Sequence, residues 1–151
     1  MYLPGQILYF DPFYFKNGQS APKPKYFIVI DNDGDNTVLA CLPTRGDFVP
    51  STINILHGCI NDDSINFNCY HFEAEKVVCT NGWCFDLPTF VYGSQLDDYK
   101  LDLLQEIYQV EGIEYQKVGK LMQDEFEKLI NCFYNSGSVK RKLKPTLKKH
   151  L

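Results

Sequence analysis

Cysteine and histidine carry the most reactive side chains in this sequence, and the chain has six of the first and three of the second. Cys59, Cys69, His71, Cys79 and Cys84 crowd a single stretch, which raises the question of zinc. Structural zinc sites take closely spaced ligand pairs from one turn of backbone. The chain has no CxxC pair and no CxxH knuckle, so no metal site is assigned. A disulfide framework belongs to short exported chains, and this one has 151 residues with no basic leader before its first acid, Asp11. Cysteine is also among the most buried residue types. The reading is six reduced thiols, mostly in the core. A cysteine–histidine protease would need a nucleophile and base held together, and no pair stands out by spacing.

Asp31, Asp33 and Asp35 suggest a calcium loop. The EF-hand pattern requires Gly at its sixth position and Glu at its twelfth, and those positions hold Asn36 and Leu42. Walker, nucleophile-elbow, zincin and dinucleotide-binding motifs are absent. No cofactor is implied.

The elements that must position any site change character along the chain. Gly5 to Phe10 is a β-prone run stopped by Asp11-Pro12, and residues 16–24 form a polar loop containing two prolines. Lys25 to Ile30 and Thr37 to Leu42 read as strands of a hairpin, joined by the Gly/Asx turn at 31–36. Residues 43–47 form a loop, and 50–72 read as irregular strands and turns. Short strands follow at Glu75–Cys79 and Thr89–Val91, separated by Asn81-Gly82. Ser94 and Asp97 then resemble a capping box. Leu96, Leu103, Leu104, Ile107 and Tyr108 predict a helix over about 95–110. Met122, Phe126, Leu129, Ile130 and Phe133 predict a second over about 122–135. These stripes suit a core or a dimer surface. The expectation is one domain over 1–137: a mainly β, small antiparallel barrel at about 1–93, then two helices.

Apolar residues make up 44% of the chain, as in a folded protein. The longest apolar run, Tyr26 to Ile30, is too short to span a bilayer; a cytoplasmic location is expected. Charge is segregated. Residues 1–137 carry −10 and residues 138–151 carry +6. Such a basic tail binds nucleic acid or an acidic membrane surface, or is a solvated, disordered end folded back on its own acidic body. The acidic body itself opposes tight nonspecific RNA binding, which draws on cations.

Gly5-Gln6-Ile7-Leu8, the polar loop ending in Lys23-Pro24-Lys25, the apolar strand after it and the Leu42-Pro43-Thr44 strand end resemble the MazF/PemK toxins of toxin–antitoxin systems. The likeness covers about residues 5–48, with an echo at Val118-Gly119-Lys120-Leu121. It implies an SH3-like barrel, a homodimer, an antitoxin partner and metal-independent cleavage of single-stranded RNA. Such cleavage needs a base for the 2′-hydroxyl, donors for the phosphate charge and an acid for the 5′-oxygen. Position by position, Lys25 or Lys23 stands for the family's loop Arg and Thr44 for its strand-end Thr. Gln6 replaces an Asp, and Arg45 replaces a Ser. Lysine lacks the planar fork of arginine, so Arg45 becomes the candidate guanidinium beside Lys25 and Thr44. Lys16, Lys23, Tyr14 and Phe15 are candidate RNA contacts, the aromatics stacking unpaired bases. The alternative is a non-catalytic barrel that binds a protein or peptide, with the aromatics of 9–15 serving as core or partner surface.

Overall fold

The computed structural model describes residues 2–15, 18, 20–42 and 56–151. Its eight strands are β1 (Gln6–Phe13), β2 (Lys23–Asn32), β3 (Asn36–Cys41), β4 (Gly58–Asp62), β5 (Phe67–Phe72), β6 (Thr89–Tyr92), β7 (Leu96–Lys100) and β8 (Tyr115–Lys120). The helices are α1 (Leu101–Ile107), α2 (Gln123–Tyr134) and α3 (Lys144–Lys148). The protein is mainly β, and its paired strands are antiparallel. Among the described residues the strands form a five-stranded sheet, β7-β3-β2-β1-β8, and a separate three-stranded sheet, β4-β5-β6. They do not close into one barrel. The chain crosses between the sheets through a 3-10 turn at Gly93–Gln95, which joins β6 to β7.

The predicted hairpin is present. Asp33 Oδ1 accepts from the backbone N–H groups of Asp35 and Asn36 at 2.9 and 2.7 Å. Asn32 Oδ1 accepts from Gly34 N at 3.0 Å, and Gly34 sits at φ +95°. Short polar side chains and a glycine thus supply the partners and the left-handed conformation that the turn requires. β1 is longer than expected: it continues past Asp11-Pro12 to Phe13, with a register shift between Phe10 and Phe13. Pro12 is tolerated because it falls in that irregularity.

β2 is the central strand, and Phe27 to Ile30 are all fully buried. Alternation sends Phe27 and Val29 to one face of the large sheet, against Leu101, Leu104 and Tyr108 of α1 and the turn after it. Ile28 and Ile30 go to the other face, against Tyr70, Phe72 and Val91 of the small sheet and Phe126, Leu129 and Phe133 of α2. α2 therefore realises its predicted apolar stripe.

The helix expected over 95–110 is shorter. Leu96–Lys100 is instead β7, pairing with β3 from Ala40↔Leu96 to Asn36↔Lys100. Leu96 satisfies either period, and the unpaired edge of β3 decides the outcome. Glu75–Cys79 is no strand but a turn-rich segment, making only isolated bridges at Val77 and Cys79.

The basic tail is not a disordered extension. Val139, Leu143 and Leu147 are buried in the core beneath α2. Its cations meet the acidic body. Lys140 pairs with Asp97 at 3.0 Å, Lys142 with Asp98 at 3.0 Å and Lys149 with Asp31 at 3.2 Å. Lys144 donates to the carbonyls of Phe133, Tyr134 and Ser136, where the exposed oxygens of a helix end attract a cation.

Two of the six cysteines also depart from expectation. Cys59 on β4 and Cys132 on α2 form a disulfide across 73 positions. Packing α2 on the small sheet brings the two together, a tertiary proximity no local spacing announces. Cys41, Cys69, Cys79 and Cys84 are free. Burial pushes the thiols of Cys69 and Cys79 up to about 12. No described helix is long and apolar enough to cross a membrane.

Candidate functional site

A cleft of about 410 Å³ opens where the ends of β2 and β3 meet the segment before β6. Its aromatic wall begins as a cross-strand pair. Tyr9 on β1 lies opposite Tyr26 on β2, their rings 4.6 Å apart. Trp83 continues the row 6.1 Å from Tyr26, and Phe85 meets Trp83 edge-on at 4.7 Å. Phe90 and Leu42 also line the cleft, with Asp86 and Cys84 among its polar residues. Tyr26 is 38% exposed and Leu87, at the rim, 73%.

A tied turn positions Trp83. Gly82, at φ +86°, closes it with a hydrogen bond from its N–H to Cys79 O at 3.0 Å. Asn81 Oδ1 accepts from Trp83 N at 3.1 Å, while Asn81 Nδ2 donates to Val118 O on β8 at 3.0 Å. Thr80 N also donates to Lys120 O at 2.9 Å. Gly119 lets the turn sit this close: a Cβ there would lie 2.9 Å from Cys79 Sγ and 3.1 Å from Asn81 Oδ1.

Of the cations expected from the sequence, Lys25 is among the residues lining the cleft and Lys23 is not. Lys25 is 7% exposed, and its Nζ donates to Leu42 O at 3.1 Å. Leu42 is the last described residue before 43–55. By alternation Lys25 shares its sheet face with Phe27, opposite the Tyr26 face. Lys23 lies with its Nζ 5.7 Å from the centre of the Phe15 ring. Both lysines favour the thiolate of Cys41, yet burial dominates and its pKa is raised. Lys23, Lys25, Phe15 and Cys41 thus gather on one side of the strand ends. Tyr14 is 53% exposed, its N–H donating to Tyr108 Oη at 2.8 Å. Phe10 and Phe13 are core residues. Thr44, Arg45 and Lys16 lie outside the described residues.

The sequence reading missed the wall formed by Tyr26, Trp83, Phe85 and Phe90. One signal was available: the chain's single tryptophan directly follows the Asn81-Gly82 turn. A second polar cluster lies under α2. Glu125 accepts from Tyr70 Oη and from His57 Nε2, the latter at 2.9 Å. His57 Nδ1 accepts from Glu73 N at 3.1 Å, which assigns the ring proton to Nε2. Burial, with the bond to Glu125, raises the Tyr70 phenol. This buried carboxylate is satisfied by two donors and ties α2 to the small sheet.

These features define a mainly β protein of two antiparallel sheets, with an aromatic cleft at the strand ends. No family model matches the chain, and neither a curated protein nor a solved structure matches it.

Proposed function

We propose that the protein is a MazF/PemK-like endoribonuclease acting on single-stranded RNA. The observation that supports this most is the Lys25–Leu42 bond beside the aromatic cleft. It joins the two stretches that carry the resemblance, the loop ending in Lys25 and the strand end leading to Thr44. In this reading Lys25 is a positioning residue that holds the backbone before Thr44. Arg45 supplies the bidentate donor to the phosphate that Lys25, buried and bonded to a carbonyl, does not. The 2′-oxygen attacks the adjacent phosphorus and the bond to the 5′-oxygen breaks. The proton lost by the 2′-hydroxyl goes to a base, and an acid returns one to the 5′-oxygen. The two sheets, joined at the Gly93–Gln95 corner, would serve as a partly open SH3-like barrel. A homodimer, an antitoxin partner and a cytoplasmic setting belong to the same proposal.

Incubation with single-stranded RNA, with and without chelator, tests it. Cleavage should proceed in both and fall at least a hundredfold in Thr44→Ala and Arg45→Ala. RNA left intact by the folded chain would remove the proposal.

One observation favours a second reading, a peptide-binding module. The cleft pairs an aromatic row with Asp86 on an acidic body, the kind of groove that receives extended proline-rich segments.

A further inference from the structure

We propose that the cleft seats one unpaired guanine base of the RNA, stacked on the Tyr26–Trp83 face, with its Watson–Crick edge toward Asp86. This deepens the endoribonuclease reading and rests on it. The cleft's volume, about 410 Å³, is at the small end of ligand sites and suits one nucleoside.

Tyr26 and Trp83 lie 6.1 Å apart at an interplanar angle of 41°, already within ring-contact range. A base therefore stacks on their open faces rather than between them. Tyr26 is 38% exposed and offers such a face, and any base accepts stacking of this kind. Selection must then come from the polar lining. Asp86 is exposed and lines the cleft. A carboxylate accepts two hydrogen bonds side by side, and guanine alone presents adjacent N1–H and N2–H donors on that edge. Adenine and cytosine offer one exocyclic amine, and uracil offers one ring N–H. The same carboxylate repels phosphate, so it directs the backbone away from Asp86; Leu42, whose carbonyl accepts from Lys25 Nζ, also lines the cleft.

Trp83 is the only tryptophan, so its emission reports on the cleft alone. The full chain is titrated with the 5′-monophosphates of guanosine, adenosine, cytidine and uridine. Cleavage of matched oligoribonucleotides that contain or lack guanine is followed in parallel. Guanosine monophosphate should quench Trp83 at about tenfold lower concentration than the other three. Asp86→Asn should abolish that preference while keeping the wild-type circular dichroism. Trp83→Phe should retain guanine-dependent cleavage, and Trp83→Ala should lose it. RNA cleaved without regard to guanine, or with Trp83 emission unchanged, overturns the base site and leaves the nuclease reading standing. Quenching by a proline-rich peptide but by no nucleotide overturns the base site in favour of a peptide groove. No nucleotide response together with uncut RNA overturns both.

Discussion

Asp31 on the central strand and His150 near the C-terminus share a 2.8 Å hydrogen bond across 119 positions, and Lys149 reaches the other oxygen of the same carboxylate. Asp31 is 7% exposed, so the Lys149 ammonium and the His150 hydrogen bond compensate a carboxylate largely removed from water. The basic tail is thus a counter-charge to the acidic body and part of its core.

Removing residues 138–151 should therefore unfold the protein rather than merely weaken nucleic-acid binding. Leu147→Ala isolates the apolar part of this dependence. Leu147 is fully buried, and such truncations cost about 2–5 kcal/mol. Urea denaturation followed by circular dichroism should show that loss. A stability within about 0.5 kcal/mol of wild type would mean the tail is peripheral.

The Cys59–Cys132 disulfide closes a long loop, and such links stabilise by about 2–4 kcal/mol. Reductant should lower the denaturation midpoint, and Cys132→Ala should reproduce that shift without reductant. Alkylation under denaturing conditions should add four groups, at Cys41, Cys69, Cys79 and Cys84, and six after reduction. In the native state Cys69 and Cys79, buried with pKa values near 12, should resist maleimide at pH 8. Cys84, half-buried in the cleft, should label first. Six groups without reduction would show the thiols all reduced, as a cytosolic setting favours.

What the sequence made legible was what local pattern decides. The 25–42 hairpin follows from a β-branched run, an Asx/Gly turn and a second run. α2 follows from five apolar residues on one stripe. Where two patterns coincide, tertiary context chose. Leu96 fits a helical stripe, yet it lies opposite Ala40 because β3 had an open edge. Leu143 and Leu147 are the only apolar residues from Lys140 to Lys149, too few to signal a core segment before α2 and β2 offer them a surface. Lys25 looked like a loop cation, but strand alternation carries it inward to Leu42 O. The cleft was least legible, since its wall joins residues from β1, β2 and the 83–90 segment.

The hairpin turn should give a pH-dependent signature. Backbone N–H bonds from Asn36 and Asp35 hold the Asp33 carboxyl below its usual range. A group whose pKa is lowered by folding stabilises above its unfolded value, near 4, and loses that contribution as pH falls through the folded value. Asp33→Ala should therefore be less stable than wild type at pH 6, with the gap narrowing below about pH 4. Parallel denaturation at pH 6 and pH 2.5 measures it; an equal gap at both would assign the effect to packing instead of charge.

Gly119 connects the edge strand to the cleft, and its replacement should disturb both. No left-handed backbone demands glycine there; the demand is steric, from Cys79 Sγ at 2.9 Å and Asn81 Oδ1 at 3.1 Å from an added Cβ. Overpacking of this kind costs about 1–3 kcal/mol. Asn81 holds both Val118 O and Trp83 N, so displacing it should also move the indole. Gly119→Ala should lower stability and shift Trp83 emission, whereas Leu147→Ala should lower stability without a native-state emission shift. Cys79→Ala removes the nearest clashing atom, so the double variant should be more stable than the two single losses predict, by about 0.5 kcal/mol or more. Additive losses with unchanged emission would show that β8 accommodates the methyl by itself, and that the turn carrying Trp83 is not braced against it.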